Sequence, residues 1–505
     1  MSHSRRDFLL TLGGLGAGAV AVSTVANLIG RHEAPSAGER AVRTIHLEAR
    51  ELTWELAPGR TVKAMAYSGR IPGPEIRVRE GERVRVVLKN SLAEPTTIHW
   101  HGVDVPNAMD GVPGVTQAPV APGASFTYEF EARPAGTRWY HTHADEHRQM
   151  DLGLVAPLII EPATEAAAHD RELTLVLDDW VTGTATPVPP TDDGAAGGRG
   201  SAGGMMGGRG MGGMMGCGRM GGMMGGGGMG GMMRADQPAY DVMTINGKAY
   251  PATEPLWLKA RERVRLRIIN ASAEHTHVVR LAGHRLRVTH TDGNPLRTPV
   301  EVDAVPIAPA ERYDVVVVAD RPGSWFLHCM QPGHVEAGER MLVVYEGHTK
   351  TNPPEIERGL AGLTVWDYGL GHAHTALREP KIAAPRAFLL TLSGGMMGSD
   401  LWTINGRRYP QTEPLVCRQG ERVRLMLRNN SMQAHPMHLH GQSFRLLATN
   451  GTPYAEPLVK DVVDVEAHMG SAILEFTANN PGDWFFHCHK PMHMMGGMIA
   501  LVKVG

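Results

Sequence analysis

The sequence predicts an all-β chain of three Greek-key β-barrel or sandwich domains in a row, and three observations lead there. The first is an internal repeat. YSGRIPGPEIRVREGERVRVVLKNSLAEPTTIHWHG from Tyr67, INGKAYPATEPLWLKARERVRLRIINASAEHTHVVRLAG from Ile245 and INGRRYPQTEPLVCRQGERVRLMLRNNSMQAHPMHLHG from Ile404 align by eye. Each has a Gly/Pro-rich opening, an Arg-Val-Arg run with alternating apolar residues, and an Asn-Ser or Asn-Ala turn. The second is that the repeat ends also align. PAGTRWYHTH, PGSWFLHCMQPGH and PGDWFFHCHKPMH each place a turn before an aromatic strand that runs into histidines. The third is spacing: strand-length runs recur every ~8–12 residues without long helical periodicity. A repeat of roughly 150 residues is a domain, not a solenoid unit.

Taken in order, residues 1–40 are a leader. Ser4-Arg5-Arg6-Asp7-Phe8-Leu9 matches a twin-arginine export signal and is followed by an apolar run rich in Gly and Ala. Export to the periplasm is expected, with the protein already folded; an uncleaved membrane anchor is the alternative. Residues 41–165 form domain one and 166–347 domain two. Residues 183–237 interrupt domain two as a low-complexity insertion. Residues 348–505 hold a connector, to about 385, and domain three.

A chain of 505 residues is too long for one core. The formal net charge of −2 argues against a nucleic-acid partner, which needs a basic face. The four cysteines, Cys217, Cys329, Cys417 and Cys488, lie far apart without a CxxC pair, so no disulfide framework is expected. Cys417 falls in mid-strand and is expected to be buried.

Of 25 histidines, many fall in four clusters: His99-Trp100-His101-Gly102, His141-Thr142-His143, His435-Pro436-Met437-His438-Leu439-His440-Gly441, and His487-Cys488-His489 followed by His493 and Met498. Residues two apart on a strand share a face, so each HxH offers two imidazoles to one side. Domains one and three meeting would bring eight together. Cys488, His493 five residues on, His435 from another strand and Met498 ten residues on make the ligand field of a blue copper centre with a weak axial thioether. His487 and His489 flank Cys488 and point to the opposite face, so the peptide would wire that copper to the histidine cluster.

These four motifs, HWHG, HTH, HPMHLHG and HCHxxxHxxxxM, resemble those of the multicopper oxidase family over essentially the whole mature chain. The resemblance implies cupredoxin-like domains and four copper ions. Type 1 copper would take His435, Cys488, His493 and Met498, and type 2 would take His99 and His438. The type 3 pair would take His101, His141, His143, His440, His487 and His489. It implies one-electron oxidation of a substrate coupled to four-electron reduction of O2 to water, in a protein that is often monomeric. Asp110 falls where the family places an acid near the cluster and could relay protons. Met494 stands where some relatives carry a second acid, which leaves the later proton route open.

Domain two keeps part of the pattern. Cys329 and His334 repeat the +5 spacing, His277 (or His275) falls near the place of His435, and Met341 is a candidate axial ligand two residues late. Met330 replaces one wiring histidine. The favoured expectation is a decayed copy packed into the core; a second type 1 copper is the alternative.

The insertion carries Met205, Met206, Met211, Met214, Met215, Met220, Met223, Met224, Met229, Met232 and Met233, with Cys217, in a glycine matrix that cannot build a core. Thioethers are soft and prefer Cu(I). Met432, Met437, Met492, Met494 and Met495, with Met396 and Met397, add thioethers near type 1. The expectation is recruitment of Cu(I) to the type 1 entrance, against the alternative of a disordered linker. The function expected is a copper-tolerance oxidase acting on Cu(I). A laccase-like oxidase of phenols, aromatic amines or Mn(II) is the second reading, and copper sequestration without turnover the third. No membrane partner is expected once the leader is removed.

Overall fold

A computed structural model describes residues 42–164, 169–183, 187–188, 239–349, 353–371, 385–395 and 399–505. The leader, the methionines of the insertion with Cys217, and Met396 and Met397 lie outside the described residues.

The threefold repeat is a repeat of sheets. In the third copy one six-stranded sheet runs Trp402–Ile404, Arg386–Gly394, Arg422–Asn429, Ser471–Thr477, Phe444–Thr449 and Thr452–Lys460. The second copy has the same order: Val242–Ile245, Arg171–Trp180, Arg263–Asn270, Arg312–Val318, Leu286–Thr291 and Asn294–Val302. The first copy is shorter, with Arg60–Tyr67, Val42–Ala57, Arg83–Asn90 and Ser125–Glu131. The first strand of each copy pairs in parallel with its Arg-Val-Arg strand, which demands a crossover and gives the Greek-key path. The alternation read in the Arg-Val-Arg runs is real: in Arg422–Asn429, Val423, Leu425 and Leu427 are buried while the residues between them are not.

Each copy also has a second sheet, and this one carries the histidines. In the first copy it runs Ile76–Arg79, Val155–Glu161, Gly136–His141 and His99–His101. In the third it runs Leu415–Cys417, Ile499–Val504, Gly482–Cys488, His435–Leu439 and Val462–Val465. Aromatic residues between the histidines point inward, so Trp100, Tyr140, Trp484 and Phe486 are buried. Cys417 is buried as expected.

Two short helices, Glu146–Gln149 and Pro491–Met495, follow the HTH and HCH motifs. They are too short to leave a periodic signal. The connector also does structural work. Trp366 is buried and its backbone N–H donates to Ala304 O, and Tyr368 donates its hydroxyl to Glu311 while accepting from the Asp464 N–H. No helix among the described residues is long and apolar enough to cross a membrane.

Candidate metal centres

A buried asparagine ends each Arg-Val-Arg strand and sets up the histidines that follow. Asn90, Asn270 and Asn429 each accept the N–H of the residue two further on and donate their amide to loop carbonyls. The turn fixed this way delivers His99, His277 and His435 to the next strand.

Two strand pairs then carry the histidines. His99 stands opposite His141, and His438 opposite His487. The glycine of HWHG is required. Gly102 has φ +79°, and a Cβ there would sit 2.6 Å from Arg312 Nη2 and 2.7 Å from Asp461 Oδ2.

The structure brings His99, His101, His141, His143, His438, His440, His487 and His489 into one buried cluster. Within it His99, His438 and His440 form one group able to hold an ion, His99, His101 and His141 a second, and His143, His440 and His487 a third. Carbonyl and carboxylate partners fix which nitrogen faces inward. His99 Nδ1 meets Asp110 O at 2.9 Å, and His438 Nδ1 meets Asp461 O at 2.8 Å. Their Nε2 atoms then face each other at 3.5 Å. His141 and His487 donate Nδ1–H to the carbonyls of Thr142 and Cys488, at 2.7 and 2.9 Å. His440 Nδ1 meets Asp110 Oδ2 at 2.9 Å, leaving its Nε2 2.9 Å from His487 Nε2. His101 is reversed: its Nε2 meets Asp461 Oδ1 at 3.0 Å, so Nδ1 points inward.

Burial first, and neighbouring imidazoles next, hold His101, His143, His438, His440 and His489 well below the usual histidine range. Burial likewise lowers His487 to about 4. The rings are therefore neutral at pH 7 and present lone pairs. His101 Nδ1, His141 Nε2, His143 Nε2 and both nitrogens of His489 are buried without a hydrogen-bond partner among the described residues. Such orphaned nitrogens are costly in a core and fit metal ligation.

Asp110 is fully buried beside this cluster. It holds His440 through Oδ2 and His99 through its backbone, and Oδ1 accepts no hydrogen bond among the described residues. Glu146 escaped the sequence reading. It lies three residues after His143, fully buried, with Oε1 3.2 Å from His143 Nε2. Burial pushes its carboxyl up to about 8, so it carries a proton at neutral pH. Asp461 was also missed. It joins His101 to Arg312 and Arg138, residues contributed by the other two repeats.

The second centre lies on the opposite side of Cys488. Its Sγ is 3.6 Å from His435 Nδ1 and 3.4 Å from His493 Nδ1, which are 3.1 Å apart. His435 Nε2 is tied to Ser431 Oγ at 2.8 Å and His493 Nε2 to Gln433 Oε1 at 2.8 Å, so both Nδ1 lone pairs face the sulfur. Met498 is fully buried, and its carbonyl accepts the Cys488 N–H at 3.2 Å. Trp402 covers His493, ring centres 3.8 Å apart.

In the second repeat His277, Cys329 and His334 also come together, so the expected decayed copy has kept its constellation. Glu339 completes it. The Glu339 carbonyl accepts the Cys329 N–H, as Met498 accepts that of Cys488. Met341, the candidate axial ligand, instead stands opposite Leu327, the place Ala500 takes opposite Phe486, and packs into the hydrophobic core. The spacing outranks the residue type here. His275 is not one of the group; it is held by Asp179 at 2.8 Å.

Comparison with known proteins agrees with the geometry. Residues 48–165, 223–348 and 381–505 match three family models, each described as multicopper oxidase. The chain is 34% identical over 458 residues to multicopper oxidase MmcO of Mycobacterium tuberculosis, covering 87% of this chain and 83% of the relative. It is 28% identical to a copper resistance protein A homolog of Pseudomonas syringae pv. tomato, covering 88% and 90%. The crystal structure of a multi-copper oxidase from Pseudomonas thermotolerans superposes with a TM-score of 0.67 at 27% identity, covering 92% of this chain and all of that one.

Proposed function

The chain belongs to the multicopper oxidase family, and on that premise we propose that its reducing substrate is Cu(I). It is an oxidoreductase of a family that uses four coppers and O2. Under this reading type 1 copper belongs to His435, Cys488, His493 and Met498, and type 2 to His99 and His438. The type 3 pair belongs to His101, His141, His143, His440, His487 and His489. Copper bound there supplies one-electron redox chemistry at the cysteine and a multi-electron centre for O2 at the eight imidazoles.

The protein's own groups do the rest. Cys488 is joined through its peptide neighbours to His487 and His489, so the path from sulfur to imidazole is covalent. Asp110, with Oδ2 on His440 and Oδ1 3.2 Å from His99 Nδ1 without an aligned hydrogen bond, is positioned to pass protons. Glu146, with Oε1 3.2 Å from His143 Nε2 and its carboxyl pushed up to about 8 by burial, is a second group able to carry a proton beside the cluster.

One observation carries the choice of Cu(I). The large exposed apolar side chains among the described residues include three methionines, Met432, Met469 and Met495, and each belongs to a segment that carries or is hydrogen-bonded to the segment carrying a type 1 ligand. Met432 precedes Gln433, which holds His493; Met469 hydrogen-bonds through its N–H to Asn429 O; Met495 lies two residues past His493. Soft thioethers at the entrance suit a soft monovalent ion. Trp402, its ring centre 3.8 Å from that of His493 and tilted by 34°, would crowd a phenol approaching His493. The copper resistance relative and the methionines of 205–233 support the same reading, and the twin-arginine leader supports a periplasmic site of action.

The test is O2 consumption by the copper-loaded enzyme with Cu(I) and with a phenol, in the wild type, a deletion of 205–233 and a Met432→Leu/Met469→Leu/Met495→Leu variant. Lower kcat/KM for Cu(I) with unchanged or higher phenol oxidation supports the proposal. Unchanged Cu(I) oxidation, with phenols better throughout, refutes it in favour of a laccase.

A further inference from the structure

The second repeat holds a metal constellation outside the oxidase machinery. We propose that His277, Cys329, His334 and Glu339 form a structural zinc site, redox-inert and distinct from the four coppers.

The backbone around it copies the type 1 centre. Cys329 N–H donates to Glu339 O at 3.3 Å, as Cys488 does to Met498 O at 3.2 Å. Glu339 N–H reaches His334 O at 2.9 Å, as Met498 reaches His493 O at 3.1 Å. His277 Nε2 rests on Ser272 Oγ at 2.7 Å, the counterpart of the Ser431 bond to His435. Nδ1 of both imidazoles therefore faces inward in both repeats.

What differs is the tenth residue after cysteine: a carboxylate replaces a thioether. Glu339 Oε1 lies 2.7 Å from His277 Nδ1 and Oε2 lies 2.7 Å from His334 Nδ1. All four residues are buried, and their ligand atoms lie within 4.8 Å of one another. The His334 contact is a well-aligned hydrogen bond, whereas His277 Nδ1 makes none despite its proximity. His334 Nε2 also has no hydrogen-bond partner among the described residues. The Val278 N–H points at Cys329 Sγ, 3.2 Å away. Burial and the neighbouring Glu339 carboxylate hold the Cys329 thiol well above its usual range, so the sulfur gives up its proton only to a cation that offsets both groups. A divalent ion neutralises both.

The donor set decides the ion. One thiolate, two imidazoles and one carboxylate oxygen are four ligands of the types tetrahedral zinc takes. A hard, charged oxygen where type 1 has a weak thioether disfavours Cu(I) and with it redox cycling. Met330 also stands where His489 stands in the third repeat, so one of the two paths to a histidine cluster is missing. The site would pin the strand His277–Leu281, the end of Ser324–Cys329 and the start of Arg340–Tyr345 together.

The experiment is metal analysis of the full-length, copper-loaded protein produced in zinc-supplemented medium, with a parallel preparation in Co(II). One zinc per chain beyond four coppers is expected. The Co(II) preparation should show tetrahedral ligand-field bands and a thiolate-to-cobalt charge-transfer band. Cys329→Ser and Glu339→Gln should lose the zinc and the cobalt bands while the blue absorption of the Cys488 centre persists. The wild-type cobalt spectrum stands on its own if a variant fails to fold. Wild-type protein that holds four coppers and neither zinc nor thiolate-bound cobalt overturns the proposal. So does a fifth metal that proves to be a second blue copper.

Discussion

Replacing Asp461 by asparagine keeps the shape of the side chain and removes its charge. In the native protein the carboxylate accepts two hydrogen bonds from Arg312, at 2.5 and 2.6 Å, and one from Arg138 at 3.4 Å. It also meets His101 Nε2 at 3.0 Å. Asp461, Arg312 and Arg138 are all buried, so the amide would leave two guanidinium groups short of one negative charge. Removing one partner of a buried pair costs ~3–5 kcal/mol. Asp292 remains 3.6 Å from Arg312, which puts the expected loss near ~3 kcal/mol. A second effect falls on the metal. Oδ1 serves both His101 Nε2 and Arg312 Nη1, and Oδ2 serves Arg312 Nη2 and Arg138, so the one amide oxygen can take only one of these two places. In the Oδ2 place, between Arg312 and Arg138, it presents the NH2 to His101 Nε2 and drives the imidazole proton to Nδ1, the atom that faces the cluster. Loss of such an orienting partner lowers metal affinity ~10–100-fold. The assay is copper per chain after equilibration with graded chelator, beside urea unfolding of the copper-free protein. The variant should release copper at lower chelator concentration and unfold at lower urea. If it keeps four coppers as firmly as the wild type and the urea midpoint does not move, the account of Asp461 is wrong.

Three further perturbations probe other parts of the same design. Ser431→Ala frees His435 Nε2 and should weaken type 1 copper ~10-fold, read as earlier loss of the blue absorption in a chelator titration; retention at the wild-type level would mean Ser431 does not set the tautomer. Asp110→Asn should slow O2 reduction ~10²–10⁴-fold while anaerobic reduction of the blue centre by Cu(I) keeps its rate, and an equal loss in both would place Asp110 in electron entry instead. Asp314→Asn opens a buried network with Arg265, Arg267 and Thr137 and should cost ~3–5 kcal/mol near neutral pH. Burial pushes the Asp314 carboxyl up, but Arg265 and Arg267 prevail and hold it well below the usual carboxylate range. Its contribution is therefore fully present above the unfolded carboxylate pKa of about 4 and is lost as pH falls below that value toward the depressed native one. The urea midpoints of wild type and variant should converge in acid, and a gap that stays constant there would contradict the assignment.

How much of this was legible depended on the range of the interaction that carried it. The HxH pairs could be read because strand geometry is local: a period of two puts His99 and His101 on one side and turns Cys488 away from His487 and His489. Which nitrogen each ring presents could not be read. His141 and His487 take the carbonyl of the next residue, but for His440 and His101 the choice belongs to carboxylates brought in from far along the chain, Asp110 and Asp461, 330 and 360 residues away. Glu146 and Trp402 were hidden for the same reason; their roles exist only after packing. The second repeat was different, because its answer lay in plain spacing. Ten residues after Cys488 comes Met498, and ten after Cys329 comes Glu339. Preferring a thioether two places late over the residue in register led to Met341, which the sheet assigns to the core beside Leu327. The backbone bonds from cysteine N–H to Met498 O and Glu339 O are the reason register wins: the hairpin fixes which residue returns to the sulfur, and its chemistry is whatever the sequence puts there. One scaffold therefore presents a soft thioether in one repeat and a hard carboxylate in another, which would suit an electron-transfer ion at the first and a structural ion at the second.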